Sequence, residues 1–163
     1  MNLKDPFNNK KNSKNYLLKN GKLINIKEKK IENKDILLEN KKIKQIKKEI
    51  NLNSKDLEVI DCNGLMIAPG LIDMRVNIGE PGSEHKETVK SVSMSAASGG
   101  ITSLICMPNT SPPIDQPAII QSIQRKAREV ALSKFYCTGC ITRGATGKEI
   151  CELQLMKESG AVG

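Results

Sequence analysis

Three polar residues alternate along one apolar run, Asp73, Arg75 and Asn77 in "DMRVN", and the loop that follows, "IGEPGSEHKE", holds the single histidine of the chain, His85. Alternate residues of an extended strand share a face, so a carboxylate, a guanidinium and a carboxamide are expected to project together. Such a trio can hold an anion. It cannot generate a hydroxide, because arginine keeps its proton and has no lone pair to offer a metal. His85 would need a partner to act as a base and further ligands to act at a metal. With Glu84 and Glu87 beside it, as at an exposed helix start, it reads as a structural loop residue.

Two other stretches imitate chemical motifs. "CTGC" at 137–140 has the spacing of redox and zinc sites. It lies in an apolar run read as a strand, where positions three apart face opposite ways, and it has no second cysteine pair or histidine cluster. Buried thiols are expected. "GATGKE" at 144–149 resembles a phosphate loop, but Thr142 stands where glycine is required and Glu149 follows the lysine. Thr146 and Glu149 are instead expected to form a capping box at the start of a helix.

The elements that must carry these residues fall into two grammars. Residues 1–15 are polar, lysine- and asparagine-rich and aperiodic, and are expected to form a disordered basic tail. Residues 16–68 read as a small antiparallel β domain: Asn20-Gly21 marks a hairpin, Asn40-Lys41 a weaker turn, and Asn63-Gly64 another. From residue 69 the pattern becomes strand, loop and helix, three times over. The strands are "LIDMRVN", "ITSLICM" and "FYCTGCIT"; the helices are "HKETVKSVSMSAASGG", "AIIQSIQRKAREVAL" and "GKEICELQLMKES". Glycine in "SGG" at 98–100 is expected to close the first helix in the left-handed region. Repeated units of this kind require parallel strands joined by helical crossovers. Residues 69–163 are therefore expected to form the amino-terminal portion of an incomplete (β/α)8 TIM-type barrel, an α/β fold, with "AVG" opening a fourth strand.

Composition limits the partners. Apolar residues make up 38% of the chain, enough for a core, but two Phe, two Tyr and no Trp leave Leu, Ile, Val and Met to fill it. The net charge of +8 lies wholly in residues 1–60, where sixteen Lys face eight acids. Such an excess suits nucleic acid or an anionic membrane. With no arginine among them to stack on bases, the lysines are read instead as a solvated surface. No apolar run has the length of a membrane span and none has the form of a signal peptide, so the cytoplasm is the expected location and the five cysteines are expected to stay reduced.

From residue 16 onward the chain resembles the dihydroorotase branch of the amidohydrolase superfamily, through "APGLIDMRVNIGEPGSEHKET", "AASGGITSLICMPNTSPPID" and "ITRGATGKE" in that order. The resemblance implies a small β domain joined to a (β/α)8 barrel, zinc as cofactor, and reversible hydrolysis of dihydroorotate to carbamoyl aspartate in pyrimidine synthesis. It implies that Asn109, in "MPNT", helps hold the substrate carboxylate, and that His85 occupies a family position separate from the zinc ligands.

One stretch departs from the family. Where relatives carry two zinc histidines and a carboxylate-binding arginine, this chain has Arg75, Asn77 and Gly79. No metal and no catalytic residue is expected in this chain, with Arg75 supplying a fixed positive charge in place of the ion. The expectation is thus a dihydroorotase-like fragment without activity; the alternative is a pseudoenzyme that supports aspartate carbamoyltransferase or forms a homo-oligomer. Nucleic-acid binding ranks below both.

Overall fold

The computed structural model describes residues 14–163, so the expected tail lies outside the described residues over 1–13, and Asn15 already belongs to a strand. The described residues form two compact units, 14–69 and 70–163. Among them no helix is long and apolar enough to cross a membrane.

The smaller unit is one sheet built around β1 (Asn15–Asn25), with β2 (Lys30–Glu39), β3 (Lys42–Lys47), β4 (Leu57–Asp61) and β5 (Met66–Ile67). Its strand order is β3-β2-β1-β4, and β5 also pairs with β1. The sheet is mixed rather than antiparallel, because the segment after β3 crosses two strands and sets β4, and then β5, parallel to β1. Alternation of residue types reveals strands but carries no information on that crossing.

Asn20-Gly21 makes no hairpin. It forms a bulge inside β1, where the register shifts between Leu18 and Gly21. Asn20 takes φ 62° there and donates its N–H to the Asp35 carboxylate at 2.9 Å. A left-handed Asn suits a bulge as well as a turn, and the turn itself falls at residues 26–29. Asn40-Lys41 does join β2 to β3, with both residues at positive φ as a type I′ turn requires. Leu17, Leu37 and Ile50 form the core of this unit.

The larger unit is a three-stranded parallel sheet of β6 (Leu71–Val76), β7 (Ile101–Cys106) and β8 (Lys134–Cys137) in sequential order. Helices α1 (Val89–Ser98) and α2 (Pro117–Val130) form the crossovers, and α3 (Leu153–Glu158) follows β8. The helix-facing side buries Val76, Leu104, Cys106, Phe135 and Cys137, against Val89 and Ala96 of α1 and Ile120, Ile123 and Ala127 of α2. The α2 positions recur at intervals of three and four and the α1 positions lie seven apart, the periods that keep one face inward. Beyond β8, Ala161 bridges Cys137 in parallel, as expected of "AVG", though only at that pair.

Two expectations are corrected in this unit. The last helix is six residues long, not thirteen, because residues 141–151 fold back on themselves. Thr142 bridges Ile150, and the Cys151 N–H donates to the Ile141 carbonyl at 2.9 Å. Thr146 starts no helix; it closes a short 3-10 turn (Arg143–Ala145), its hydroxyl donating to the Arg143 carbonyl at 3.0 Å. The second correction concerns "CTGC": β8 ends at Cys137, so the opposite-face argument does not reach Cys140. Both thiols are nonetheless buried and free, as are those of Cys62, Cys106 and Cys151.

Candidate functional site

Three parallel strands end side by side, and the loops that leave them are tied by backbone hydrogen bonds. At the end of β6 the Val76 carbonyl accepts from Met107 N–H at 2.8 Å, and at the end of β7 the Cys106 carbonyl accepts from Thr138 N–H at 3.0 Å. The Thr138 hydroxyl donates to the same Cys106 oxygen at 2.7 Å. Farther out, Ser111 N–H donates to the Pro81 carbonyl at 3.0 Å and Cys140 N–H to the Ile114 carbonyl at 2.7 Å. The Asp115 carboxylate accepts from Gly144 N–H at 2.8 Å. Each loop is thereby braced by its neighbour, which is what a binding surface at strand ends needs.

The three polar residues of the first strand do not share one face. Register slips in β6 place Asp73 beside Leu104 and Val76 beside Cys106, so strict alternation is broken between them. The Asp73 carboxylate turns back on its own strand and accepts from Arg75 N–H at 3.0 Å. Arg75 and Asn77 are exposed, on either side of buried Val76. Asn109 is exposed in the loop after β7, two residues beyond the Met107 that pairs with Val76. Arg75, Asn77 and Asn109 thus stand at neighbouring strand ends.

His85 is exposed in the loop between β6 and α1, outside that bracing. Beside it, the Glu84 carboxylate accepts from Gly82 N–H at 2.9 Å, and backbone N–H groups, Gly82's foremost, hold its pKa below the usual range. Glu84 fixes loop shape.

Several positioning residues escape sequence reading. Glu80 reaches across nine residues to accept from Val89 N–H at 2.9 Å, closing one free donor at the start of α1. Thr88 and Ser91 form the real capping box of this unit, each side chain accepting from the other's backbone N–H at 3.1 and 3.0 Å. The sequence signal for it is the T-x-x-S spacing at 88–91, with serine in the place of the glutamate of a T-x-x-E box.

Three of the thiols are held protonated. Cys106 is pushed up strongly, first by its hydrogen bond with the Cys137 thiol and then by burial. Burial also raises Cys140 and Cys151. A protonated, buried thiol is neither a nucleophile nor a metal ligand.

The residues at the end of β6 do not fit the zinc that the resemblance implies. A guanidinium has no free electron pair and repels a cation, and a carboxamide oxygen is a poor zinc donor. Among the described residues no three His, Cys, Asp or Glu side chains converge as a metal site would require. Arg75 and the two carboxamides offer hydrogen-bond donors of the kind that suit a carboxylate.

Comparison with known proteins bears on this geometry. A family model described as Dihydro-orotase-like matches residues 64–163. A dihydroorotase of Caldicellulosiruptor saccharolyticus is 43% identical over 146 residues, which are 90% of this chain and 34% of that protein. A dihydroorotase of Aquifex aeolicus is 44% identical over 128 residues, 78% of this chain and 30% of that one. Among solved structures, the L-hydantoinase (dihydropyrimidinase) of Arthrobacter aurescens superposes with a TM-score of 0.78 at 27% identity, covering 91% of this chain and 32% of its own. The chain spans about a third of the length of the curated relatives it matches.

Proposed function

The chain belongs to the dihydroorotase-like family, and from that premise we propose that it is part of a cytoplasmic cyclic-amide hydrolase fold of pyrimidine metabolism, an incomplete (β/α)8 barrel after a small β domain. In this reading it retains recognition of a carboxylate-bearing substrate of the dihydroorotate type and has lost metal-dependent hydrolysis. The observation that carries the proposal is the placement of Arg75 and Asn109 at the ends of adjacent parallel strands joined through Val76 and Met107. The guanidinium supplies charge and a two-pronged donor for the carboxylate; the Asn109 amide supplies a neutral donor across the strand boundary. Neither group can deprotonate water at neutral pH. With no residue fit to hold zinc at positions 75 and 77, the bound amide is left intact.

Calorimetry with dihydroorotate, beside assays of zinc content and ring opening, tests this on the purified chain. Binding without turnover is expected. Stoichiometric zinc with ring opening rejects the loss of hydrolysis, and absence of binding rejects the retained recognition. The replacement of both imidazoles also favours a second reading, a non-catalytic homologue that supports aspartate carbamoyltransferase. Failure of the two to co-purify removes it.

A further inference from the structure

A concavity of about 520 Å³ is lined by Lys22 from β1, Lys34 from β2 and Lys48 just past β3. The carboxamides of Asn20, Asn33 and Asn63 share the lining, and no apolar side chain does. Small-molecule pockets are ordinarily apolar with a few polar groups; this one is built only of charged and polar groups and suits a ligand that is itself strongly hydrophilic.

The charges within it do not cancel. The only acid in the lining is Asp35, buried, with one carboxylate oxygen accepting from Asn20 N–H and the other from Ile50 N–H, both at 2.9 Å. The nearby Asp61 is likewise engaged, by the Asn20 amide at 2.9 Å and Asn63 N–H at 3.1 Å. Lys34 lies 3.6 Å from a Glu32 oxygen that Lys30 also approaches. The ammonium groups of Lys22 and Lys48 have no carboxylate partner among the described residues. Lys34 alternates with Asn33 and shares the face of Glu32, so Lys22 and Lys48 are the two uncompensated cations that border the concavity, beside one acid whose lone pairs are directed at the backbone.

We propose that this concavity binds a small multivalent phosphate anion, a diphosphate group above all, through Lys22 and Lys48. Lysines bind phosphate as mobile point charges, and the unengaged amides of Asn33 and Asn63 supply neutral donors. No aromatic ring or arginine lines the site, so nothing stacks on a nucleobase. Recognition is of the phosphates alone.

Pyrophosphate and ADP carry the same diphosphate and separate free anion from nucleotide as its source. Titrated calorimetrically into the whole chain at low ionic strength, both are expected to saturate one site with affinities within a few-fold, and to weaken as salt rises. The double variant Lys22→Gln, Lys48→Gln is expected to lose about tenfold or more in affinity. The control Lys27→Gln, Lys29→Gln removes the same charge from the turn at 26–29, outside the lining, and is expected to bind as the parent does. Circular dichroism checks that both variants fold. Absence of saturable binding, an equal loss in the control, or ADP binding far more tightly than pyrophosphate each overturns the proposal.

Discussion

Gly82 lies against Ser111 so closely that a Cβ on it would fall inside the Ser111 carbonyl oxygen. The two residues belong to the loops that leave β6 and β7, and the contact adds to the hydrogen bond from Ser111 N–H to the Pro81 carbonyl. Gly82 also sits at φ 97°, a conformation that side chains resist. Gly82→Ala combines backbone strain of about 1–3 kcal/mol with displacement of the second loop. Gly100, at φ 76° with open space around it, isolates the backbone part. Urea denaturation is expected to show Gly82→Ala destabilised more than Gly100→Ala. Equal losses would mean that the loops are not in fact braced here.

The capping box of α1 yields a second expectation. Thr88 and Ser91 satisfy each other's backbone donors, so Thr88→Ala is expected to cost about 1 kcal/mol. Thr88→Ser keeps the hydroxyl and should recover most of it. A third variant, Thr146→Ala, removes a hydroxyl that starts no α-helix and should leave α-helix content unchanged by circular dichroism.

Cys106 links stability to pH. Its proton is held more tightly in the folded chain, first by the Cys137 thiol and then by burial. Because the folded-state pKa is raised, the contribution is intact below the ordinary thiol value of 9.0. It declines above that pH by about 1.4 kcal/mol per pH unit, as the unfolded chain ionises and the folded chain does not. Denaturation midpoints measured from pH 8 to 10.5 are expected to fall less steeply in Cys106→Ala than in the parent. Parallel alkaline slopes would show that this thiol does not titrate on unfolding.

What the sequence made legible was local. The three strands of the larger unit, the crossover helices and the left-handed glycine after α1 follow from periodicity and capping chemistry within short windows. Pairing depends on contacts across long separations: β4 sits beside β1, forty-two residues earlier in the chain, and nothing in "LEVID" encodes that neighbour. The bulge at Asn20 and the slip in β6 were hidden for the same reason. Each is a disagreement in length between two strands, invisible in either alone. At the candidate site, Arg75, Asn77 and Asn109 could be named from the residues and the family pattern. Glu80 and Asp115 could not, because what they do depends on backbone donors nine and twenty-nine residues away.

The anion-binding role proposed for Arg75 separates charge from geometry, and both can be tested. Arg75→Gln removes the charge while keeping a polar side chain, and is expected to weaken dihydroorotate binding about tenfold or more, the scale of one charge-assisted hydrogen bond. Arg75→Lys keeps the charge but loses the planar fork, and its affinity should fall between the other two. Asn109→Asp places a carboxylate where the substrate's own must approach, so it should weaken binding further than Asn109→Ala. The Arg75 and Asn109 effects should also be less than additive in the double variant, because both groups serve the same carboxylate. Calorimetry on the five variants and the parent supplies the readout. Equal affinities for the parent, Arg75→Gln and Arg75→Lys would place the carboxylate elsewhere and leave Arg75 as a solvated residue at the end of β6.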